Sequence, residues 1–334
     1  MNTRTTKKVA ISGIRTTGSI HFGNYIGAIR QFKDFQNDPD TECFFFIANM
    51  HSITEKIDPE VNLRGSRDLV RAFLASGVDP NKSTIYAQSN IPELFELQWL
   101  LSCFCTISDL TGMPHFKEKN EQGKKKKIGA TPGLLTYPIL MAADILGVHA
   151  TEVPVGPDQE YHVEFAVKIV REFNRRFGHL LAEPKASIGT KLESLSGDGK
   201  MGKSTGNAIP LSVSDNDLRK MVKAGATTRV RLTDAGNLDK CPIHWNHQVF
   251  SPGETISWVQ QGCSGASISC FDCKMRLADH MISETAEVRE NFRQQLALPD
   301  DNFDEILHEG SKVARKIIAE VTNKAKYRLG LKFF

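Results

Sequence analysis

"VAISGIRTTGSIHFGNYIGAIR", residues 9–30, is the stretch from which the fold of this chain can be read. Val9–Ser12 is a short apolar run with strand character, and it ends at a glycine-containing turn. The overlapping segment "NYIGAIRQF" (24–32) then carries the apolar spacing of a helix. Gly13 and Gly18 permit a tight turn between the two, and Gly23 lets a ligand approach the backbone closely. His21 and Asn24 fall at or near the start of the helix, where free N–H groups and the helix dipole favour a phosphate. The competing reading is an ordinary strand–turn–helix connection with an incidental histidine, because short glycine patterns arise by chance.

Further along, "CFFFIAN" (43–49) reads as a buried strand and "LRGSRDLVRAFLASG" (63–77) as a helix closed by Gly77. "STIYAQS" (83–89) is another strand and "ELFELQWLLSCF" (93–104) another helix. Strands alternating with helices at this pitch predict an α/β fold with a doubly wound, Rossmann-type parallel sheet, its ligands at the carboxyl ends of the strands. From about residue 211 the pattern changes to helices and loops. "SDNDLRKMVKAG" (214–225) has a capping serine, an acid three residues on and a closing glycine. "DEILHEGSKVARKIIAEVTNKAKYRLG" (304–330) predicts a long amphipathic helix interrupted near Gly310. Residues 234–273, rich in Cys, Gly, Pro and Ser, read as a loop with little core unless cross-linked. The expected organisation is a Rossmann-type domain over 1–210 and a smaller, all-helical domain over 211–334.

A chain of 334 residues is long enough for one large and one smaller domain. With 40% hydrophobic and 24% charged residues it has the composition of a globular protein. Lysine and arginine exceed aspartate and glutamate by 42 − 39 = +3, which neither announces nor excludes a nucleic-acid partner. No apolar run approaches the ~18 residues of a membrane span. The basic opening "MNTRTTKK" leads directly into the first strand without a signal-peptide pattern, so a cytoplasmic location is expected. Seven cysteines in that setting read as thiols, some of them metal ligands, rather than as disulfides. Cys43, Cys103 and Cys105 lie in apolar segments and are expected to be buried.

A second glycine-flanked element, "GKMGKSTGN" (199–207), carries Lys200, Lys203 and Ser204. Two lysines and a serine on a mobile loop can clamp a departing pyrophosphate and stabilise the charge that develops on it; a solvated basic turn is the plainer alternative. Together, His21-Phe22-Gly23-Asn24 and Lys200-Met201-Gly202-Lys203-Ser204 resemble, in order and separation, the paired HIGH and KMSKS signatures of class I aminoacyl-tRNA synthetases. Gly202 replaces the usual middle serine, and Thr16 stands where proline is frequent.

"LLTYPILMAADILG" (134–147) bears on the substrate. Pro138 suits the start of a helix, and Tyr137, Met141 and Asp144 then share one face at i, i+4 and i+7. They describe a half-apolar pocket with one strong acceptor. An indole N–H can only donate, so a fixed carboxylate suits it, but a phenol O–H could donate as well. Chemistry alone leaves tryptophan and tyrosine open, and a plain buried helix is the structural alternative. The stretch is similar to the specificity helix of tryptophanyl-tRNA synthetases, in which the aspartate accepts the indole N–H. "VPVGPDQEYHVEFA" (153–166), "HFKEK" (115–119) and "MHSIT" (50–54) also resemble that family, and the matches run over about 9–230 and 304–330.

The resemblance implies that His21, Asn24, Lys119, Lys200, Lys203 and Ser204 are catalytic. It places Gly13, His51, Tyr137, Met141, Asp144 and Gln159 around tryptophan. It places Arg15, Gly23, Gly156, Asp158 and Met201, with His21, Asn24, Lys200 and Lys203, around ATP. It further implies Mg2+ held by phosphates and water, tRNA(Trp) as acceptor, a homodimer, and a helical domain that binds the anticodon. No editing domain is needed, because a site that hydrogen-bonds a substrate N–H can reject analogues lacking it by about 10⁴-fold. The lysine run 124–127 is either a solvated loop or a tRNA backbone contact. A tyrosyl-tRNA synthetase and a non-catalytic tRNA-binding paralogue are the rival readings.

One further cluster needs a role. Cys241, Cys263, Cys270 and Cys273 form a C-x21-C-x6-C-x2-C series. The short pair is the kind used by both zinc and iron–sulfur sites, and His244 and His247 lie close enough in sequence to serve zinc. Some tryptophanyl-tRNA synthetases carry a 4Fe–4S cluster on a similar series whose first spacer is one residue longer. The resemblance therefore implies a 4Fe–4S cluster on these four cysteines, a structural clip near the anticodon, with zinc the second choice and four free thiols the third.

Overall fold

The sheet is built from β1 (Lys8–Ile14), β2 (Thr41–Ile47), β3 (Ser83–Ala87), β4 (Glu152–Val155) and β5 (Lys185–Ile188). All pairs are parallel, and the order is β3-β2-β1-β4-β5. The coordinates are a computed structural model that describes residues 7–16, 18–55, 58–125, 129–202, 207–231 and 233–332; the side chains of Lys119 and of residues 122–125 also lie outside the description. β2, "TECFFFI", is buried on both faces over most of its length, as a central parallel strand covered by helices must be. The chain passes from β1 to β2 on one side, whereas β4 lies on the other. Doubly wound sheets place their ligand crevice at such a reversal, beyond the carboxyl ends of β1 and β4, where residues 15–16, 18–24 and 156–159 follow the two strands.

The first helical segment has three parts: α1 (Phe22–Asn24), a π-helical stretch (Tyr25–Ile29) and α2 (Arg30–Asn37). There follow α3 (Asn49–Ser52), α4 (Pro59–Ala75), α5 (Pro92–Ser102), α6 (Ile107–Gly112), α7 (Pro114–Lys125), α8 (Pro132–Gly147) and α9 (Glu160–Phe177). α4 starts where the Asp58 carboxylate accepts from the Glu60 and Val61 N–H groups, and it stops before Gly77, whose φ of +89° requires a glycine. On one face of the sheet Phe32 stacks on Phe45 with ring centroids 4.1 Å apart, and Phe73 meets Phe32 edge-on. On the other face Phe44, Phe46 and Tyr86 pack with α5, α8 and α9.

α10 (Asp215–Ala224), α11 (Pro242–Phe250), α12 (Gly253–Ser264), α13 (Cys270–Leu296) and α14 (Asp301–Arg328) complete the chain. Ser214 caps α10 as expected, its hydroxyl accepting from the Asp217 N–H at 3.1 Å. α14 returns to the sheet and packs on β3 and α5. Among the described residues no helix is long and apolar enough to cross a membrane.

Several expectations change. Gly13 lies inside β1 rather than in the turn, and a Cβ there would stand 2.2 Å from the Phe46 ring, so its smallness serves packing. α8 begins at Pro132 behind the capping Thr131, which puts Pro138 in its interior. Residues 242–250, 253–264 and 270–273 are helical rather than loop: Pro242 and Gly253 sit at first helical positions and Ser269 is a cap, so the breaker residues mark helix ends. α14 is continuous through Gly310, where a Cβ would meet the Ile85 carbonyl oxygen. Cys43 is buried, but Cys103 is exposed and Cys105 only half-buried.

Candidate active site

Two segments close over the crevice between β1 and β4. His21 is the N-cap of α1, and Asn24 Oδ1 accepts from its N–H at 3.2 Å. Residues 192–201 form a small hairpin: the Met201 N–H donates to Leu192 O at 2.9 Å and the Ser194 N–H to Gly199 O at 2.8 Å. Its turn uses Gly197 and Gly199 at φ of +82° and +96°. The hairpin lays the Met201 carbonyl over Gly23, where a Cβ would stand 2.8 Å from that oxygen. The close approach that Gly23 permits is thus, in this structure, one of backbone to backbone, and Met201 itself is buried.

The hairpin also delivers Lys200 to the end of β4. Lys200 Nζ donates to Asp158 Oδ1 at 2.7 Å, and Gln159 Nε2 donates to Asp158 Oδ2 at 3.0 Å. Gly156 leaves room for this ion pair, since a Cβ there would lie 2.7 Å from Asp158 Oδ1. Burial works to raise the Asp158 carboxyl, but Lys200 and the Gln159 amide outweigh it and hold it below its ordinary value. Arg15 pairs with Glu55 at 3.4 Å at the rim and acts on Tyr137 through its charge. Lys203 and Ser204 lie outside the described residues, as do the Lys119 side chain and those of the lysine run 124–127.

The second half of the site is built on α8. Asp144 is fully buried; its Oδ2 lies 2.9 Å from His51 Nε2, and Gln88 Nε2 reaches both carboxylate oxygens at 2.9 and 2.8 Å. Because a carboxylate only accepts, the geometry assigns the proton of His51 to Nε2. Gln88 Oε1 in turn accepts from the Met50 and His51 N–H groups at 3.2 and 3.3 Å, so one glutamine ties α3 to the aspartate. Burial raises the Asp144 carboxyl above its ordinary value, against the pull of His51 and Gln88. The Tyr137 ring stands edge-on to His51 with centroids 6.2 Å apart. Its hydroxyl lies 2.7 Å from His162 Nε2 and 3.0 Å from His115 Nδ1. Met141 is half-buried on the same helix. Sequence reasoning missed Gln88, His115 and His162. For Gln88 a signal existed: an amide at the carboxyl end of an apolar strand, where parallel sheets gather ligand contacts.

The four cysteines of the series lie at helix ends: Cys241 caps α11, Cys263 closes α12, and Cys270 and Cys273 open α13. Cys241, Cys263 and Cys273 are buried, and a Cβ at Gly236 would collide with the Cys263 sulfur. Burial pushes the Cys273 thiol up to about 12, reinforced by Cys241, Cys263 and Cys270, which places the four thiols within electrostatic reach of one another. Among the described residues no group of three or more His, Cys, Asp or Glu side chains stands in metal-holding geometry. His247 Nε2 bonds the Cys273 carbonyl at 3.1 Å, and Nδ1 meets Ser251 at 2.7 Å. His244 Nδ1 bonds Leu238 O at 3.1 Å.

A sheet of this order, with a HIGH-type turn at one strand end and a lysine hairpin meeting the Gly156–Gln159 segment at the next, defines a class of nucleotide-dependent enzyme. The profile of the family described as "tRNA synthetases class I (W and Y)" matches residues 3–283. Tryptophan–tRNA ligase of Thermotoga maritima is 39% identical over 331 residues, covering 97% of this chain and 99% of that one. Tryptophan–tRNA ligase of Deinococcus radiodurans is 36% identical over 96% of this chain and 97% of its own length. The crystal structure of tryptophanyl-tRNA synthetase from Campylobacter jejuni complexed with ADP and tryptophan superposes with a TM-score of 0.79 at 32% identity, covering 97% of this chain and 100% of that chain. The chain belongs to the class I tRNA synthetases for tryptophan and tyrosine, and within them to the tryptophan–tRNA ligases.

Proposed function

We propose that the chain activates L-tryptophan with ATP and transfers it to tRNA(Trp). In the first step the tryptophan carboxylate forms a bond to the α-phosphorus of ATP, the α–β phosphoanhydride breaks, and pyrophosphate leaves. In the second the 2′-hydroxyl of the terminal adenosine of tRNA forms an ester bond to the tryptophanyl carbonyl carbon and gives up its proton, the acyl–phosphate bond breaks, and AMP leaves. No protein nucleophile is required, because position and electrostatics supply the catalysis. His21 and Asn24 at the start of α1, with Lys119, Lys200, Lys203 and Ser204, hold the phosphates. Gly23, Gly156 and Met201 border the nucleotide, and Arg15 and Asp158 meet it. Mg2+ bound to the phosphates spreads their charge.

The observation that carries the choice of amino acid is Asp144, a buried acceptor held by His51 and Gln88 on the face of Tyr137 and Met141. A carboxylate has about four lone-pair positions, which leaves one for the indole N–H beside the donors already present. Gly13 and Gln159 complete that pocket. ATP–pyrophosphate exchange tests the reading directly: exchange driven by tryptophan and not by tyrosine is expected. Exchange with tyrosine alone would make the enzyme a tyrosyl-tRNA synthetase, and failure to charge any tRNA would point to a non-catalytic paralogue.

The four cysteines support a 4Fe–4S cluster as a clip in the helical region 211–334, which we assign to the anticodon. The donor chemistry suits it: four thiols at helix ends, two of them in the first turn of α13, where backbone N–H groups favour thiolates. Bound iron would balance the charge of thiolates that burial otherwise disfavours. Absorption near ~400 nm with about four irons and four sulfides per chain is the expected result; stoichiometric zinc without sulfide would make the site a zinc clip. Thiols that are to hold a cluster suit a reducing, cytoplasmic setting.

A further inference from the structure

Three helices meet at one oxygen, the hydroxyl of Tyr137: α8 carries the tyrosine, α7 brings His115, and α9 brings His162. We propose that His115 and His162 are positioning residues for tryptophan, and that through Tyr137 they form a one-way hydrogen-bond relay fixing the ring that lines the pocket. The proposal rests on the reading of the Tyr137–Asp144 face as the tryptophan site.

The direction follows from counting protons. A phenol has one proton to give and lone pairs to accept with, so at most one of the two imidazole nitrogens facing Tyr137 accepts from it. Among the described residues His162 Nδ1 is buried with no hydrogen-bond partner, and the residue is 1% exposed. A relay running from His115 to His162 would force the only ring proton of His162 onto that nitrogen and strand an N–H in the interior. Running from His162 to His115, it leaves only a lone pair there. Orphaned buried N–H groups are the rarer arrangement, and neutral imidazole itself favours the proton on Nε2. His162 cannot relieve the choice by charging, because burial holds its pKa down at about 3. The chain is therefore His162 Nε2–H to Tyr137 Oη–H to His115 Nδ1.

The relay controls more than the hydroxyl. The two bonds fix where the tip of the ring sits, and because a phenolic O–H prefers the ring plane they also favour one plane, the one that packs edge-on against His51. His51 is in turn a donor to Asp144. Without the acceptor at position 115 the hydroxyl loses one of its partners, and both the ring and the histidine behind it gain freedom that tryptophan must remove on binding. The effect falls on tryptophan affinity, since Asp158 and Lys200 are paired to each other without any member of the relay.

The test is ATP–pyrophosphate exchange with His115→Leu and His115→Gln. Leucine removes the acceptor, and the KM for tryptophan should rise about tenfold, the loss of one hydrogen bond, with kcat and the KM for ATP within about twofold, the pattern of lost uniform binding. Glutamine presents an amide oxygen in place of the lone pair and should restore the tryptophan KM to within about threefold of the unaltered enzyme. An unchanged KM in His115→Leu, or parallel losses in kcat and ATP binding that glutamine does not rescue, overturns the relay. Asp144→Asn in the same assay separates the two readings. If it spares the tryptophan KM, the pocket assignment fails; if it abolishes tryptophan use while His115→Leu does nothing, the relay alone fails. Histidine-selective ¹⁵N NMR of the unaltered protein reads the direction without any substitution: His162 should be the neutral Nε2–H tautomer, and an Nδ1–H signal would reverse it.

Discussion

Asp144 depends on its neighbours, because at zero exposure it has no water to solvate it. Asp144→Asn keeps the shape but turns one acceptor oxygen into a donor facing His51 and Gln88. Activation of tryptophan, as kcat/KM in pyrophosphate exchange, should fall by about 10²-fold or more, the scale of about 3 kcal/mol for a buried charged hydrogen bond. Retained exchange would mean that the indole is read elsewhere. His162 makes a prediction of a different kind. Its folded pKa of about 3 lies below the unfolded value of about 6.5, so below that pH the unfolded chain takes up a proton that the folded one refuses. Its contribution to stability is complete above pH 6.5 and is lost as the pH falls toward 3. Between pH 6.5 and 5.0 this one residue should cost about 2 kcal/mol. Urea midpoints of the unaltered protein and of His162→Gln at both pH values measure it, and equal acid sensitivity in the two proteins would contradict it.

At the scale of elements, two glycines should respond in opposite directions to the same added methyl group. Gly310 lies in α14 where a Cβ would be 1.9 Å from the Ile85 carbonyl, which is backbone and cannot step aside. Gly310→Ala should cost about 3 kcal/mol. Gly112 closes α6 with nothing within 4 Å of such a Cβ, and Gly112→Ala should gain about 0.5–1 kcal/mol from helix propensity and a less disordered unfolded chain. Thermal denaturation of both variants decides the point. Elements also show what the sequence could and could not disclose. β1, β2, β3 and the helices between them were legible because apolar period and glycine placement are local. The helices α11 and α12 were not, because Pro242, Gly253 and the serines read as loop composition while serving as helix ends. In the site, the face of Tyr137, Met141 and Asp144 followed from helical spacing. Gln88, His115 and His162 did not, because they reach it from β3's end, α7 and α9, and only the packing brings them together.

At the scale of the molecule, Trp99 and Ile107 are 72% and 73% exposed on either side of the turn that joins α5 to α6. Large apolar side chains left in solvent suggest a covered surface, and we propose that a second copy of the chain covers them. Light scattering should give twice the chain mass, and Trp99→Glu with Ile107→Glu should give the single chain; a monomer without any substitution would remove the assignment. A last consequence follows from the way α14 lies along β3. β3 is an edge of the sheet, and the helix that shields it comes more than 200 residues later, with Arg315 bonded to Glu93 and Ser311 to the Ala87 N–H. During synthesis the edge is therefore complete long before its cover emerges from the ribosome. For that interval the nascent chain offers an open strand to any neighbour, so stalled chains ending before residue 301 should bind a holdase chaperone and aggregate when released, whereas chains extended past residue 328 should not.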